Sequence, residues 1–276
     1  MRMRRPRLFA FDLDGTLLAS DKSLSETNRR ALLEMTDFGA IVAFASGRLG
    51  SSVMQYARGL GLQPALLSLN GATVYKSEKD GGHLVFSMPL PARYADVLID
   101  YARGKDFAVN YYIDDRLYSV RSPGISEWNA LYYKETKTVC NFVDTLDGFK
   151  GRDPLKMLFI GDPKRLDEEE KKFRSQWDHD IYIVRTWDFY LEFMHRNANK
   201  GTGLTALAEA YGIDIGDTVA FGDADNDIPM LQQAGLGIAM GNALDSVKAA
   251  AKKISSWTND ENGVAREWEL LKREFA

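Results

Sequence analysis

Short apolar runs that end in small polar residues recur near both ends of this chain, separated by stretches with helical spacing. Uninterrupted apolar runs of this length are typical of strands buried on both faces, and a strand–helix–strand order predicts parallel βαβ units. The first three runs span residues 8–11, 40–45 and 65–69, and they lead into Asp12, Ser46 and Asn70. Ligands bind beyond the carboxyl ends of such strands, so these polar residues are expected to line a site.

The middle of the chain has a different pattern. Polar and apolar positions alternate over residues 109–120 around an Asp–Asp pair, which predicts a β-hairpin, and aromatic and charged residues become frequent. From residue 200 the first pattern returns. We therefore predict an α/β protein with a Rossmann-like, doubly wound parallel sheet. The predicted domains are a discontinuous core, residues 1–84 and 189–276, and an inserted α+β domain, residues 85–188.

The composition restricts the possible functions. The chain has 276 residues, of which 45% are hydrophobic, enough for one large or two modest domains. A net charge of -4 without a basic stripe argues against a nucleic-acid partner. The amino-terminal apolar run is too short for a signal peptide, no stretch approaches a membrane span, and one cysteine cannot form an internal disulfide. We expect a cytoplasmic enzyme, monomeric or homodimeric, with no membrane partner.

The end of the first predicted strand carries the strongest chemical signal. Asp12 and Asp14 directly follow the apolar residues 8–11. Two unpaired buried carboxylates are energetically costly, so they need a cation, a solvent-filled crevice or both. Gly15 suits the sharp turn that lets the backbone approach a ligand closely.

Four motifs follow one another along the chain: Asp12-Leu-Asp14-Gly-Thr16, Ser46-Gly47-Arg48, Lys200, and Asp223-Ala-Asp225-Asn226-Asp227. Their order and spacing resemble those of the haloacid dehalogenase superfamily of phosphohydrolases. Asn70-Gly71-Ala72 and the NDENGV segment near the carboxyl end narrow the resemblance to the Cof-type phosphatases with a class IIB cap. The resemblance implies that the inserted domain is a cap, and that the protein is a phosphatase.

The acidic residues also indicate chemistry by themselves. Carboxylates repel a phosphate dianion, so a cluster of them implies a divalent cation, and oxygen ligands suit Mg²⁺. Asp12 and Asp223 are the candidate side-chain ligands, and Asp12 is the candidate nucleophile that forms an aspartyl-phosphate. The resemblance adds the backbone carbonyl of Asp14 as a metal ligand. It also implies that the Asp14 side chain is the general acid and then the general base.

The remaining candidates bind the phosphoryl group or support the groups that do. Ser46 and Lys200 are expected to bind phosphoryl oxygens through a hydroxyl and an ammonium. Asp227 is expected either to orient Lys200 or to hold the metal through a bound water. The candidate substrate-binding residues are Thr16, Gly47, Arg48, Asn70 and Asn226.

Some of these residues have more ordinary interpretations. Ser46 alone is typical of a helix N-cap, and Lys200 alone is typical of a solvated lysine. Arg48 is either a structural pairing residue or a substrate contact. Asp225 is either a surface acid or an additional charge near the metal.

The predicted function is Mg²⁺-dependent hydrolysis of small phosphate monoesters, such as sugar phosphates or phosphorylated cofactors. The alternative is a phosphomutase that resembles the phosphomannomutases, in which the phospho-enzyme passes its group to a second hydroxyl. A non-catalytic ligand sensor ranks low because Asp12, Asp14, Lys200 and Asp223 are all present. A kinase is disfavoured because there is no GxxxxGK[ST] loop. A dehalogenase is disfavoured because a halide leaving group needs no protonation by Asp14.

Overall fold

The computed structural model describes residues 6–121, 126–136 and 138–275. The chain divides into two compact units, and each has its own sheet. The first unit is Met1–Phe86 with Asn199–Ala276, and the second is Ser87–Ala198. Within the described ranges, no helix is both long and apolar enough to cross a bilayer.

The strands are short. In chain order they are β1 (Leu8–Asp12), β2 (Ile41–Ala45), β3 (Ala65–Ser68), β4 (Thr73–Tyr75), β5 (Leu84–Ser87), β6 (Ala108–Ile113), β7 (Arg116–Val120), β8 (Cys140–Val143), β9 (Lys156–Ile160), β10 (Ile181–Trp187), β11 (Tyr190–His195), β12 (Thr218–Gly222), β13 (Leu236–Ala239) and β14 (Lys253–Ile254).

The α-helices vary from six to fifteen residues. They are α1 (Glu26–Asp37), α2 (Gly50–Gly59), α3 (Ala92–Ala102), α4 (Ser126–Thr136), α5 (Pro163–Trp177), α6 (Lys200–Ala210), α7 (Ile228–Gln233), α8 (Asp245–Ala250) and α9 (Gly263–Phe275).

The first unit is built on an eight-stranded sheet with the order β14-β13-β12-β1-β2-β3-β4-β5. The six strands from β14 to β3 pair in parallel, and β4 is antiparallel to β3. The central strand β1 lies between β12 and β2, which puts the carboxyl ends of all three at one edge. The predicted Rossmann-like α/β fold is confirmed, and the motif residues of these strands share that edge.

Both faces of this sheet are covered, which explains the continuous apolar runs of its strands. Phe9 and Phe11 of β1 point to the face that packs against α1, α2 and α9. Leu8 and Ala10 point to the opposite face, which packs against α6, α7 and α8. Because successive strand residues alternate between faces, each strand contributes to both cores.

The second unit is built on a six-stranded sheet with the order β10-β11-β9-β6-β7-β8. All neighbours are antiparallel except β7 and β8. The predicted hairpin at residues 109–120 is confirmed as β6 and β7. Its turn residues Asp114 and Asp115 both have positive φ, as a two-residue type I′ connection requires.

The two faces of the second sheet differ in character. One face is an apolar core shared with α3 and α5. The other carries an ion pair between Lys156 and Glu192, which is 3.1 Å long and almost completely buried. On that same face, the Tyr112 hydroxyl donates to the Tyr132 hydroxyl of α4 at 2.6 Å.

The predicted second domain boundary, between residues 188 and 189, is wrong. It falls in the turn between β10 and β11, which are antiparallel neighbours in the second sheet, and β11 also pairs with β9. Dividing the chain there would remove β11 from between its two neighbours and leave polar backbone groups of all three strands without partners. The second unit therefore continues to Ala198, and the first boundary lies between Phe86 and Ser87.

Candidate active site

The site begins where β1 ends. Asp12 is the last residue of β1 and is almost completely buried, and Asp14 follows in a turn at Gly15. Gly15 has a φ of +87°, and a β-carbon there would overlap the Asp223 carboxylate. Only glycine accommodates both the left-handed backbone and the close approach of Asp223.

Lys200 is the first residue of α6 and is fully buried beneath the same edge. Its ammonium donates to Asp12 Oδ1 at 2.6 Å and to Asp227 Oδ1 at 2.5 Å. A lysine in this position is not a solvated surface residue. Its two hydrogen bonds join Asp12 of the first motif to Asp227 of the last motif.

Three carboxylates form a compact acidic cluster. Asp12, Asp223 and Asp227 each have an oxygen within 4.8 Å of the other two. The Thr16 hydroxyl donates to Asp223 Oδ1 at 2.6 Å, so Thr16 holds this acid. Both Asp227 oxygens have partners, since Oδ2 accepts from the backbone N–H groups of Asp223 and Ala224.

The cluster is electrostatically unbalanced. Burial raises the pKa of Asp12 well above its usual range, and the Lys200 cation offsets this only in part. Burial likewise raises the pKa of Asp223 to about 6. Burial acts to lower the pKa of Lys200, but the two adjacent carboxylates outweigh it and raise that pKa. One ammonium among three acids leaves excess negative charge, which a bound cation would neutralise.

Asp14 has a different environment. Arg48 Nη2 lies 2.9 Å from both of its oxygens, and Lys22 Nζ lies 3.0 Å from Oδ1. Burial acts to raise the pKa of Asp14, but these two cations outweigh it and lower that pKa. The structure therefore presents Asp14 as an ionised carboxylate, and Arg48 as its ion-pair partner.

The loops after β2 and β3 meet beside this cluster. Ser46 is buried and its hydroxyl accepts from the Arg48 backbone N–H at 3.2 Å, while α2 begins four residues later without a side-chain cap. Asn70 Oδ1 accepts from Asn226 Nδ2 at 3.0 Å, and a β-carbon on Gly47 would contact the Asn70 amide. Ser46 is thus not the N-cap of α2, and the two loops are packed against each other.

Asp225, for which the sequence allowed two interpretations, points away from the cluster. Its Oδ1 accepts from the Ser246 hydroxyl of α8 at 2.6 Å, and the residue is exposed. This contact fastens the loop after β12 to α8, so the surface interpretation of Asp225 is the one the structure supports.

Sequence reasoning missed two residues that touch the candidate site. Lys22 contacts Asp14, and Asn242 Nδ2 donates to the Gly15 carbonyl at 2.8 Å. Nothing in the local pattern distinguishes Lys22 from a surface lysine. Asn242 did carry a signal, because it follows β13 and Gly241 just as the recognised residues follow their own strands.

Comparison with known proteins gives consistent matches. The haloacid dehalogenase-like hydrolase family model matches residues 9–267. The 5-amino-6-(5-phospho-D-ribitylamino)uracil phosphatase YitU of Bacillus subtilis is 31% identical, over 99% of this chain and 98% of its own. The HMP-PP phosphatase of Cronobacter sakazakii is 30% identical, over 88% of this chain and 87% of its own.

Solved structures show the same architecture. The crystal structure of a Thermotoga maritima protein has a TM-score of 0.86 and 30% identity, covering 96% of this chain and 97% of its own. A haloacid dehalogenase-like hydrolase from Bacteroides thetaiotaomicron also has a TM-score of 0.86. Its identity is 28%, and the match covers 97% of this chain and 100% of its own.

Proposed function

We propose, from the premise that this chain belongs to the haloacid dehalogenase-like hydrolases and is a Cof-type phosphatase, that it hydrolyses small phosphate monoesters through a phosphorylated Asp12. One observation carries the proposal. Asp12, Lys200 and Asp223 come from three distant segments and converge at one strand edge, with Lys200 2.6 Å from Asp12. A nucleophile, a phosphoryl-binding cation and a metal-binding acid are the groups that this reaction needs.

The acidic cluster fits a divalent metal, and we infer Mg²⁺. Asp12 and Asp223 would hold it through their side chains, because burial, with a smaller contribution from neighbouring carboxylates, raises both pKa values, and a cation would stabilise the ionised forms. Asp227 is a poor direct ligand, since both its oxygens already accept hydrogen bonds. Its role would be to orient Lys200. When bound, the metal would reduce the repulsion between Asp12 and the phosphate dianion.

The residues of the chain support a two-step transfer. In the first step an Asp12 oxygen bonds to phosphorus, the ester bond breaks, and the leaving oxygen takes a proton from Asp14. In the second step Asp14 removes a proton from water, the water oxygen bonds to phosphorus, and the bond to Asp12 breaks. Lys200 and the Ser46 hydroxyl would bind the phosphoryl oxygens throughout.

Asp14 must acquire a proton before the first step. Arg48 and Lys22 lower its pKa in the unliganded protein, so it is ionised at neutral pH. A phosphate dianion beside Asp14 acts in the opposite direction and raises its pKa. Substrate binding therefore prepares the acid, and departure of the alcohol leaves the same group as a base.

The relatives favour hydrolysis over the phosphomutase alternative. They are named phosphatases, but for different compounds: a ribitylaminouracil phosphate in one case and HMP-PP in the other. We therefore propose phosphate release as the reaction, and we do not transfer either substrate to this chain.

Phosphate release from a panel of phosphorylated sugars, nucleotides and cofactors with Mg²⁺ tests the proposal. Asp12→Asn should lower kcat/KM by at least about a thousandfold while the protein stays folded. Asp225→Asn is the matched control, because it makes the same change on an acid that faces Ser246, and it should retain activity. Rapid quenching of the wild type followed by intact-mass measurement should show one added phosphoryl group. An active Asp12→Asn enzyme would exclude Asp12 as the nucleophile.

A further inference from the structure

Two cations surround a single carboxylate at the edge of the candidate site. Asp14 contacts Lys22 at 3.0 Å and Arg48 at 2.9 Å. In the described part of the chain, Asp14 is the only ion-pair partner of Lys22, and it is shared with Arg48. The group therefore carries one more positive charge than negative. The Lys22 side chain is 54% exposed and that of Arg48 is 25% exposed, so both remain accessible to a solute.

The Lys22 backbone is held in an unusual conformation. Its φ is +67°, a left-handed value that residues other than glycine and asparagine seldom adopt. A tight turn imposes it: Lys22 N–H donates to the Ala19 carbonyl, and Ala19 N–H donates to the Ser23 carbonyl. The other carboxylate of this turn, Asp21, accepts from the Ser23 backbone and hydroxyl. Such local strain is typically retained where it positions a functional group.

The position of Lys22 relative to a substrate follows from the role of Asp14. A residue that protonates the leaving oxygen must come within hydrogen-bond distance of it. Lys22 and Arg48 are themselves one hydrogen-bond length from Asp14. Where one Asp14 oxygen contacts both a cation and the bridging oxygen, two such lengths in series place that cation within roughly 6 Å of the bridging oxygen. An anionic group two or three bonds from that oxygen would come within ion-pair distance.

We propose that Lys22, together with Arg48, binds an anionic group on the leaving portion of the substrate. The preferred substrates are then phosphate esters whose leaving group carries a carboxylate or a second phosphate close to the bridging oxygen. This inference rests on the proposed function and deepens it by specifying the substrate class. Lys22 is a specificity-determining residue in this proposal, and it takes no part in the bond-making steps.

A series of three two-carbon phosphate esters tests the proposal, because these esters differ chiefly in the charge of the leaving group. The probes are 2-phosphoglycolate, which is anionic, 2-hydroxyethyl phosphate, which is neutral, and phosphoethanolamine, which is cationic. For the wild type, kcat/KM should be highest for the anionic ester, lower for the neutral ester and lowest for the cationic ester. Lys22→Gln should reduce the ratio of anionic to neutral kcat/KM by about tenfold, and Lys22→Arg should retain most of it. Comparing ratios between variants cancels the intrinsic reactivity of the esters.

Two controls separate local from general charge effects. Lys79→Gln removes the same charge from an exposed position between β4 and β5, and it should leave the ratio unchanged. Raising the salt concentration should reduce the wild-type preference for the anionic ester, since exposed charges are screened. Ethylene glycol bisphosphate, added as a fourth probe, distinguishes a phosphate from a carboxylate as the preferred anion.

Specific results would overturn the proposal. If Lys22→Gln lowers kcat/KM equally for all three charges, Lys22 acts only by holding Asp14. If the wild type prefers the neutral or the cationic ester, the anion site does not exist. If no ester in any panel releases phosphate, the proposed function itself fails and this inference fails with it. If phosphate is released without any charge preference, the inference fails alone.

Discussion

At the scale of single residues, the loop after β3 shows how strongly the site constrains its backbone. Leu69, Asn70 and Gly71 are three consecutive residues with positive φ. This left-handed turn brings Asn70 to Asn226, and it presses Gly71 against the backbone of Asn199, directly before Lys200. A β-carbon on Gly71 would overlap the Asn199 carbonyl. Gly71 thus allows the loop after β3 and the start of α6 to approach each other.

Gly71→Ala should therefore impair both stability and activity. The left-handed backbone alone costs about 1–2 kcal/mol for alanine, and the overlap with Asn199 adds a further roughly 1–3 kcal/mol. Displacement of α6 should also move Lys200 away from Asp12 and lower kcat. Denaturant unfolding and phosphate release measure the two effects.

Gly39→Ala is the matched control for that substitution. Gly39 has a φ of +87°, close to the +85° of Gly71, but a β-carbon there would meet no atom within 4 Å. It should lose only the backbone contribution and keep its activity. Equal effects from the two substitutions would show that the Gly71 contact does not position Lys200.

At the scale of structural elements, the loop between β1 and α1 is fastened by amide side chains from three other segments. Asn242 donates to the Gly15 carbonyl, Asn28 of α1 to the Leu17 carbonyl, and Asn259 to the Leu18 carbonyl. These three hydrogen bonds hold the loop that contains Asp14, whose backbone carbonyl is a metal ligand by the resemblance alone. The NDENGV segment therefore supports the loop of the first motif from the opposite end of the chain.

Asn242→Ala should reduce activity beyond its effect on stability. Loss of one side-chain hydrogen bond to a backbone carbonyl costs about 1 kcal/mol, but here it also releases the Gly15 turn beside Asp14 and Asp223. Asn141→Ala removes an equivalent amide bond, to the Leu117 carbonyl, in the second unit. We expect similar losses of unfolding free energy, with at least about a tenfold fall in kcat only for Asn242→Ala. Equal activities would show that the loop needs no such support.

At the scale of the whole molecule, the acidic cluster is expected to couple stability to pH and, through the proposed metal, to metal concentration. The pKa of Asp223 is about 6 in the folded protein, against 3.8 as its ordinary value. Between these two values the folded protein binds more protons than the unfolded chain. The stability that protonated Asp223 contributes is thus fully present below about pH 4, and it is lost as the pH rises through about 6. At neutral pH the metal-free protein retains an unfavourable charge.

Mg²⁺ should therefore stabilise the protein more at pH 7.5 than at pH 5. At pH 7.5 a saturating concentration should raise Tm by about 5 °C, since ligand at a hundred times its Kd contributes about 2.7 kcal/mol. At pH 5 protonated Asp223 competes with the metal and the shift should shrink. Asp223→Asn should remove most of the shift at both pH values. NaCl of equal ionic strength is the control, and a pH-independent Mg²⁺ shift in the wild type would exclude Asp223 as a ligand.

The amino-acid sequence was enough to predict the parallel part of the Rossmann-like sheet, its strand ends and the residues at those ends. Continuous apolar runs identify buried parallel strands locally, and parallel strands necessarily bring their carboxyl ends to one edge. Asp12, Ser46, Asn70 and Asp223 could therefore be assigned to one place without any knowledge of packing. The domain boundary at residue 198 could not be predicted in this way, because β11 belongs to the second unit only through its pairing with β9 and β10.

The side chains that hold the site residues became evident only in the folded structure. The hydrogen bond from Asn242 to Gly15 joins residues 227 positions apart, and the hydrogen bond from Lys200 to Asp12 joins residues 188 positions apart. The pairing of Asp14 with Lys22 and Arg48 likewise depends on side-chain directions, which hydrophobic periodicity does not encode. A sequence pattern reports which residues are buried, whereas the partner of a charged group is set by three-dimensional proximity and local dielectric environment.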